Sequence, residues 1–207
     1  MKRGPALLIA SGNPGKRAEL AALLAAHGIP VTEPAAGQYH PPPETAATFV
    51  ENALLKARAA CRVTGLAALA DDSGLVVPAL GGAPGIRSAR FAGGAGDHPA
   101  NIRRLLALLD GLAPGRRRAY FYCVLVVLRA ADDPAPLIAE GRWDGAIATA
   151  PSGAGGFGYD PVFLPAGETR TAAELDRNEK NRQSHRARAL AELLSKPKIS
   201  NWSSDEW

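Results

Sequence analysis

Cysteine is scarce in this chain. Two occur in 207 residues, Cys61 and Cys123, and neither belongs to a CxxC pair. That argues against a disulfide framework and against a cysteine zinc site, and both residues read as small buried apolar side chains. The four histidines offer no pair at zinc-ligand spacing. Long apolar runs are missing too, since no stretch approaches the roughly 18 apolar residues of a membrane span. Lys2 and Arg3 open the chain as a signal peptide would. The apolar run after them, Ala6 to Ala10, stops at Ser11-Gly12-Asn13, too early for an h-region. The expectation is a cytoplasmic protein with no membrane partner. No internal repeat is present, and neither charge dominates. Twenty-four Lys and Arg face 20 Asp and Glu, and the resulting +4 suits an anionic small molecule as well as it suits nucleic acid.

What is present is a globular composition, 46% hydrophobic and 21% charged, long enough for one domain or for one domain with two lobes. Ala6 to Ala10 reads as a buried strand closed by the turn formers Ser11 to Gly15. A helix follows with Leu20, Leu23, Leu24 and His27 at helical spacing and Gly28 as its stop. Ile29 to Thr32 suits a second strand. Thr48 and Glu51 form a capping box for a helix ending at Gly65. Leu66 to Ala70 reads as a short strand ending on Asp71-Asp72-Ser73-Gly74, with Leu75 to Val77 continuing beyond it. Asp97 caps a helix bearing Ile102, Leu105, Leu106 and Leu109 on one face. Tyr120 to Leu128 is the clearest strand, and Leu137 to Arg142 and Ala146 to Thr149 read as its neighbours. Thr171 and Glu174 form a second capping box, and Ser184 caps a final helix through Leu194. Strands alternate with helices early and follow one another later, which predicts an α/β fold around a mixed sheet. The domain is expected to occupy 1–195. The tail, 196–207, lacks apolar periodicity and is expected to be disordered.

Five groups of residues carry chemistry. Ser11-Gly12-Asn13-Pro14-Gly15-Lys16 lies between a strand and a helix start, where free N–H groups and the helix dipole favour an anion. It lacks the Walker A spacing, and an ordinary strand-to-helix turn explains it equally well. Asp71-Asp72-Ser73-Gly74 places two carboxylates side by side. Such a pair can ligate Mg²⁺ or orient a water, and the same residues also make a polar turn. Strand alternation would face only one of the two carboxylates into a site. Glu44 and Lys56 add an acid and a cation, although a solvated surface lysine is the plainer account of Lys56. The glycines around Phe157-Gly158-Tyr159-Asp160 let backbone approach a ligand, with a ring to stack on a base and a carboxylate to accept from it. A flexible hairpin loop is the competing account. Finally, Lys180, Ser184, His185 and Arg186 gather donors near a helix start. Cations there oppose the dipole, so capping explains Ser184 but not His185 or Arg186.

In order and combination these groups resemble the inosine triphosphate pyrophosphatases, the Ham1-like family. The resemblance runs from about Leu7 to Leu194. It rests on Ser11-x-Asn13-x-x-Lys16, Thr48-Phe49-x-Glu51-Asn52-Ala53-x-x-Lys56-Ala57, Asp71-Asp72-Ser73-Gly74-Leu75 and Gly81-Gly82-x-Pro84-Gly85. Gly156-Phe157-Gly158-Tyr159-Asp160-Pro161 and Glu179-Lys180-Asn181-x-x-Ser184-His185-Arg186 complete it. Ser11 stands where the family often has threonine, and Asn178 where an acid is common. The resemblance implies an elongated mixed sheet flanked by helices, two lobes with a substrate groove between them, and a homodimer. It implies hydrolysis of ITP, dITP and XTP to monophosphate and pyrophosphate with Mg²⁺, keeping deaminated purines out of DNA and RNA. Ser11 to Lys16 would bind the triphosphate. Asp72 would be the catalytic base and a metal ligand, with Glu44 the second acidic ligand. Ser73, Phe157, Gly158, Tyr159, Asp160, Lys180, His185 and Arg186 would contact substrate, mainly at the base, and Lys56 a phosphate. A nucleic-acid-binding module is the alternative from another class. It would use the basic run Arg116-Arg117-Arg118 beside Tyr120 and Phe121, although a buried strand accounts for those aromatics too. No stable nucleic-acid partner is expected.

Overall fold

The computed structural model describes residues 6–94, 96–196 and 199. Its strands are β1 (Leu7–Ile9), β2 (Val31–Thr32), β3 (Ala68–Val76), β4 (Arg118–Leu128), β5 (Leu137–Ile147) and β6 (Phe163–Pro165). Its α-helices are α1 (Pro14–Ala25), α2 (Phe49–Thr64), α3 (His98–Leu108), α4 (Arg177–Gln183) and α5 (His185–Leu194). The strands form one six-stranded sheet in the order β2-β1-β3-β4-β5-β6. β1 runs parallel to β2 and β3, while β5 and β6 are antiparallel, so the sheet is mixed as expected. No helix among the described residues is long and apolar enough to cross a membrane.

The chain divides into two compact units. The first comprises Met1–Asp72, Cys123–Gly141 and Arg186–Trp207. Its core gathers Leu7 and Ile9 of β1, Leu20 and Leu24 of α1, alternate residues of β4, and Leu190 and Leu193 of α5. Ile199, from the segment expected to be a disordered tail, is buried in this core; the rest of that expectation, apart from Lys196, lies outside the described residues. The second unit comprises Ser73–Tyr122 and Arg142–His185. Ile102 and Leu105 of α3 pack there with Phe121, Trp143, Val162 and Phe163.

Local sequence signals place the helix ends. Asn13 accepts from the Lys16 N–H at 3.2 Å and Pro14 opens α1. Thr48 and Glu51 close the expected capping box on α2, and Gly65 ends that helix in the left-handed conformation. Asp97 caps α3.

Three expectations are corrected. β3 is a single strand, so Asp71 and Asp72 lie within it and not at its end. β5 is also a single strand. Gly145 interrupts the apolar pattern because β6 passes so close that a Cβ there would overlap the Leu164 carbonyl oxygen. Thr171 and Glu174 start no helix. Glu174 instead accepts from the Thr171 N–H and from the Ser152 hydroxyl, both at 2.6 Å, closing a turn onto Ser152. The helix begins at Asp176, which forms its own capping box with Glu179. Ser184 therefore sits between two helices, its N–H bonded to the Lys180 carbonyl at the end of α4.

Candidate active site

At the start of α1 the polar residues first organise one another. The Ser11 hydroxyl accepts from the Asn13 N–H at 3.3 Å, Asn13 caps the helix, and Arg17 donates to the Ser11 carbonyl at 2.9 Å. Lys16 then reaches from the first turn to Asp71 on β3, Nζ to Oδ2 at 3.0 Å. Asp71 is fully buried and also faces the Arg186 Nε at 3.6 Å. Burial works against its charge, but Lys16, Arg186 and Lys56 outweigh it and hold the carboxyl far below the usual range. Arg186 completes this group through Glu19 of α1, Nη1 to Oε2 at 2.9 Å.

Its neighbour Asp72 has different partners, as strand alternation predicts. Lys56, projecting from α2, donates Nζ to Glu44 Oε1 at 2.7 Å and lies 3.4 Å from Asp72 Oδ1. One ammonium thus draws together two carboxylates from segments far apart in sequence. Burial pushes the Asp72 carboxyl above its ordinary value; Lys56 and Lys16 pull it down, while Glu44 and Asp71 reinforce the rise. Burial also opposes the Lys56 charge, yet Asp71, Asp72 and Glu44 together keep its pKa above the ordinary lysine value. Lys56 is therefore a cation at neutral pH, and not a solvated surface lysine, being almost fully buried.

The second unit holds a separate cluster. Asp160 Oδ2 accepts from the Phe157 N–H at 2.8 Å and from Lys180 Nζ at 2.6 Å. The same Nζ stands 5.0 Å from the centre of the Phe157 ring, which is half-buried. An aromatic face and an ammonium are thus held side by side by one buried carboxylate. Lys180 belongs to α4, not to the helix that follows Ser184. His185 is buried with its ring stacked on Phe121 at 4.8 Å, so its placement is with the aromatic core. Tyr159 is likewise buried and donates its hydroxyl to the Ser88 carbonyl at 2.9 Å. The structure thus brings Lys180, Phe157 and Asp160 together and sends Arg186 to Glu19 and Asp71.

Gly156 is required by this arrangement. Its φ is +71°, and a Cβ there would overlap Asp160 Oδ2. Gly156→Ala is expected to displace the carboxylate from Lys180 and to cost about 1–3 kcal/mol of stability. Thermal unfolding checks the cost, and an unchanged Tm would contradict it.

Sequence reading missed Glu19 and gave Asn52, a member of the Thr48 to Ala57 motif, no role of its own. Glu19 carried a usable signal, an acid three residues after Lys16 on a helix whose neighbours Leu20 and Leu24 are core residues. Asn52 accepts from the Ala46 N–H at 3.0 Å, pinning the segment that carries Glu44; only its place on the same face as Lys56 hinted at this. The basic run Arg116-Arg117-Arg118 is not a stripe. Arg117 is buried and donates to the carbonyls of Leu109, Ile147 and Ala148, at 2.7, 2.8 and 2.8 Å.

The Ham1 family profile matches residues 7–196. The chain belongs to the Ham1 family. A dITP/XTP pyrophosphatase of Xanthomonas campestris pv. campestris (strain 8004) is 57% identical over 192 residues, 92% of this chain and 96% of that protein. One from Pectobacterium atrosepticum is 51% identical, over 91% of this chain and 95% of that one. Among solved structures, a HAM1 protein from Coxiella burnetii superposes with a TM-score of 0.83 at 45% identity, covering 91% of this chain and 96% of its own.

Whether this Ham1 chain can hold a divalent cation turns on its donor set. Among the described residues there is no group of three or more His, Cys, Asp and Glu poised around one point. Glu44 and Asp72, however, converge on a single ammonium and offer hard carboxylate oxygens in a buried setting. Mg²⁺ is commonly held by one or two carboxylates together with substrate phosphates, so the pair fits it.

Proposed function

We propose that this chain hydrolyses non-canonical purine nucleoside triphosphates (ITP, dITP and XTP) to the monophosphate and pyrophosphate, with Mg²⁺ as cofactor. The observation that carries the reading is the convergence of Glu44 and Asp72 on Lys56 beside the Lys16-bearing start of α1. Relatives named dITP/XTP pyrophosphatase support the substrate class.

Glu44 and Asp72 would hold Mg²⁺, which when bound neutralises phosphate charge. Asp72 orients a water and takes its proton as the oxygen attacks the α-phosphorus; the bond to the bridging oxygen breaks and pyrophosphate leaves. Ser11 to Lys16 bind the triphosphate at the helix start, and Lys16 and Lys56 stabilise the charge that builds on the leaving group. Asp71 keeps Lys16 and Arg186 in place. In the second unit the Phe157 ring stacks on the base and Lys180 donates to the oxygen at position 6, where adenine presents a donor instead. The chain acts as a cytoplasmic homodimer, a state that light scattering in solution tests directly.

Turnover of ITP is expected to stop when a chelator removes divalent metal and to return with Mg²⁺, yielding IMP and pyrophosphate. Phosphorus NMR of the products checks both points. Orthophosphate with a diphosphate would place the attack at the γ-phosphorus and leave Asp72 with no water to activate at the α-phosphorus.

A further inference from the structure

Ser88, in the 3-10 turn Gly85–Arg90, joins three parts of the second unit. Its hydroxyl accepts from the Leu75 N–H at 2.9 Å and donates to the Gly85 carbonyl at 2.6 Å. Its own carbonyl accepts from the Tyr159 hydroxyl at 2.9 Å and from Asn101 Nδ2 at 3.4 Å. The turn is gripped from α3 as well. Asn101, buried, accepts from the Ala92 N–H at 2.6 Å, and Arg104 donates to the Phe91 carbonyl at 2.7 Å while lying over the Phe91 ring. β3 lies so close that a Cβ at Gly74 would overlap the Gly85 carbonyl oxygen. Glycine after Ser73 is therefore a packing requirement, which a polar-turn reading of Asp71 to Gly74 does not supply.

We infer that Tyr159 is a positioning residue, which fixes the loop bearing Phe157 and Asp160 against β3 through the Ser88 carbonyl and does not touch the nucleotide. This rests on the reading of Phe157 and Lys180 as the base-recognition pair. Tyr159 is 3% exposed, which leaves its ring little surface to offer a ligand, and its hydroxyl is already bonded. The loop on either side has little stiffness of its own, because Gly156 and Gly158 both have positive φ. Backbone bonds tie the loop to Ala173, from the Gly155 N–H at 3.0 Å and to the Asp160 carbonyl at 3.2 Å. The Tyr159 hydroxyl adds the side-chain anchor that sets where the Phe157 ring and the Asp160 carboxylate stand against the clamped turn. Through the Ser88 hydroxyl the same turn holds Leu75, which ties base recognition to β3.

The test is steady-state kinetics of the full chain with ITP and with ATP, beside thermal unfolding. Tyr159→Phe deletes only the hydroxyl. Its expected result is a KM for ITP raised about 2- to 12-fold, the range for one hydrogen bond, with kcat within about twofold. The ITP to ATP ratio of kcat/KM falls by the same factor. Ser88→Ala should act in the same direction, and the double variant should lose no more than the worse single variant, because both act through one turn. A Tyr159→Phe protein with a lower Tm but an unchanged KM and ratio would make Tyr159 a core residue only and overturn the inference. Independent, multiplying losses would overturn the shared turn. Lys180→Ala is run in parallel to separate the two readings. If its ratio is also unchanged, the base-recognition pair itself is wrong; if only its ratio moves, the pair stands and the role of Tyr159 falls.

Discussion

Asp72→Asn is expected to lower pyrophosphate release from ITP by about 10²–10⁴-fold, the usual worth of a general base, while the protein stays folded. The substitution keeps the shape of the side chain and removes the charge that would hold metal and accept the proton. Lys56 loses one of its two carboxylate partners but keeps Glu44, and burial already disfavours the Asp72 charge, so the Tm of the metal-free protein should change little. Asp71→Asn is expected to do something different. By strand alternation alone, Asp71 should matter less than Asp72. The structure gives it another task, since it is fully buried against Lys16 and Arg186. Removing one member of a buried ion-paired group costs about 3–5 kcal/mol, so the loss should appear as a Tm lower by about 6–20 °C. Paired measurements of Tm and kcat on the two variants check this. If the two variants lose the same activity with the same Tm, the division of labour between the neighbours is wrong.

Lys180→Ala should reduce kcat/KM for ITP by about tenfold to a hundredfold and leave ATP turnover nearly unchanged. A hydrogen bond from a charged donor is worth about 1.5–3 kcal/mol, and ATP offers no acceptor at position 6 to receive it. The Asp160 carboxylate loses its ion partner in this variant but keeps the Phe157 N–H, and the loop keeps the Tyr159 bond to the Ser88 carbonyl. Lys16→Ala is the control, because a phosphate contact is common to both substrates and both rates should fall together. Arg186 is expected to follow Lys16 and not Lys180, since its partners are Glu19 and Asp71. Competition kinetics with mixed ITP and ATP measures the ratio directly. Equal losses for both nucleotides in Lys180→Ala would make Lys180 a phosphate or structural residue.

Much of the architecture was legible because it is written in local chemistry. The ends of α1, α2 and α3 follow from Asn13-Pro14, from Thr48 with Glu51 and Gly65, and from Asp97, all of which act within a few residues along the chain. Apolar spacing picked out Leu20 and Leu24 on α1 and Ile102 and Leu105 on α3, all buried in the structure, and the order of the motifs pointed to the Ham1 family. Where a local rule competed with a distant partner, the sequence misled. Thr171 and Glu174 have the spacing of a helix cap, but Ser152, from another part of the chain, turns them into a closed loop. Leu137 to Arg142 and Ala146 to Thr149 read as two strands, and the structure joins them through Gly145, which pairs with β6.

The sequence by itself determined which residue types are available for chemistry and that Asp71 and Asp72 would have different surroundings. Side chains alternate along any strand, whatever the strand later packs against. Only the tertiary structure decided who the partners are. Lys56 meets Glu44 and Asp72 and so stays charged while buried; Asp71 takes Lys16 and Arg186; His185 enters an aromatic stack while the next residue enters an ion-pair network. These pairings join residues from 12 to more than a hundred positions apart. Charge–charge energies and burial costs depend on distance and exclusion of water, which chain order does not encode.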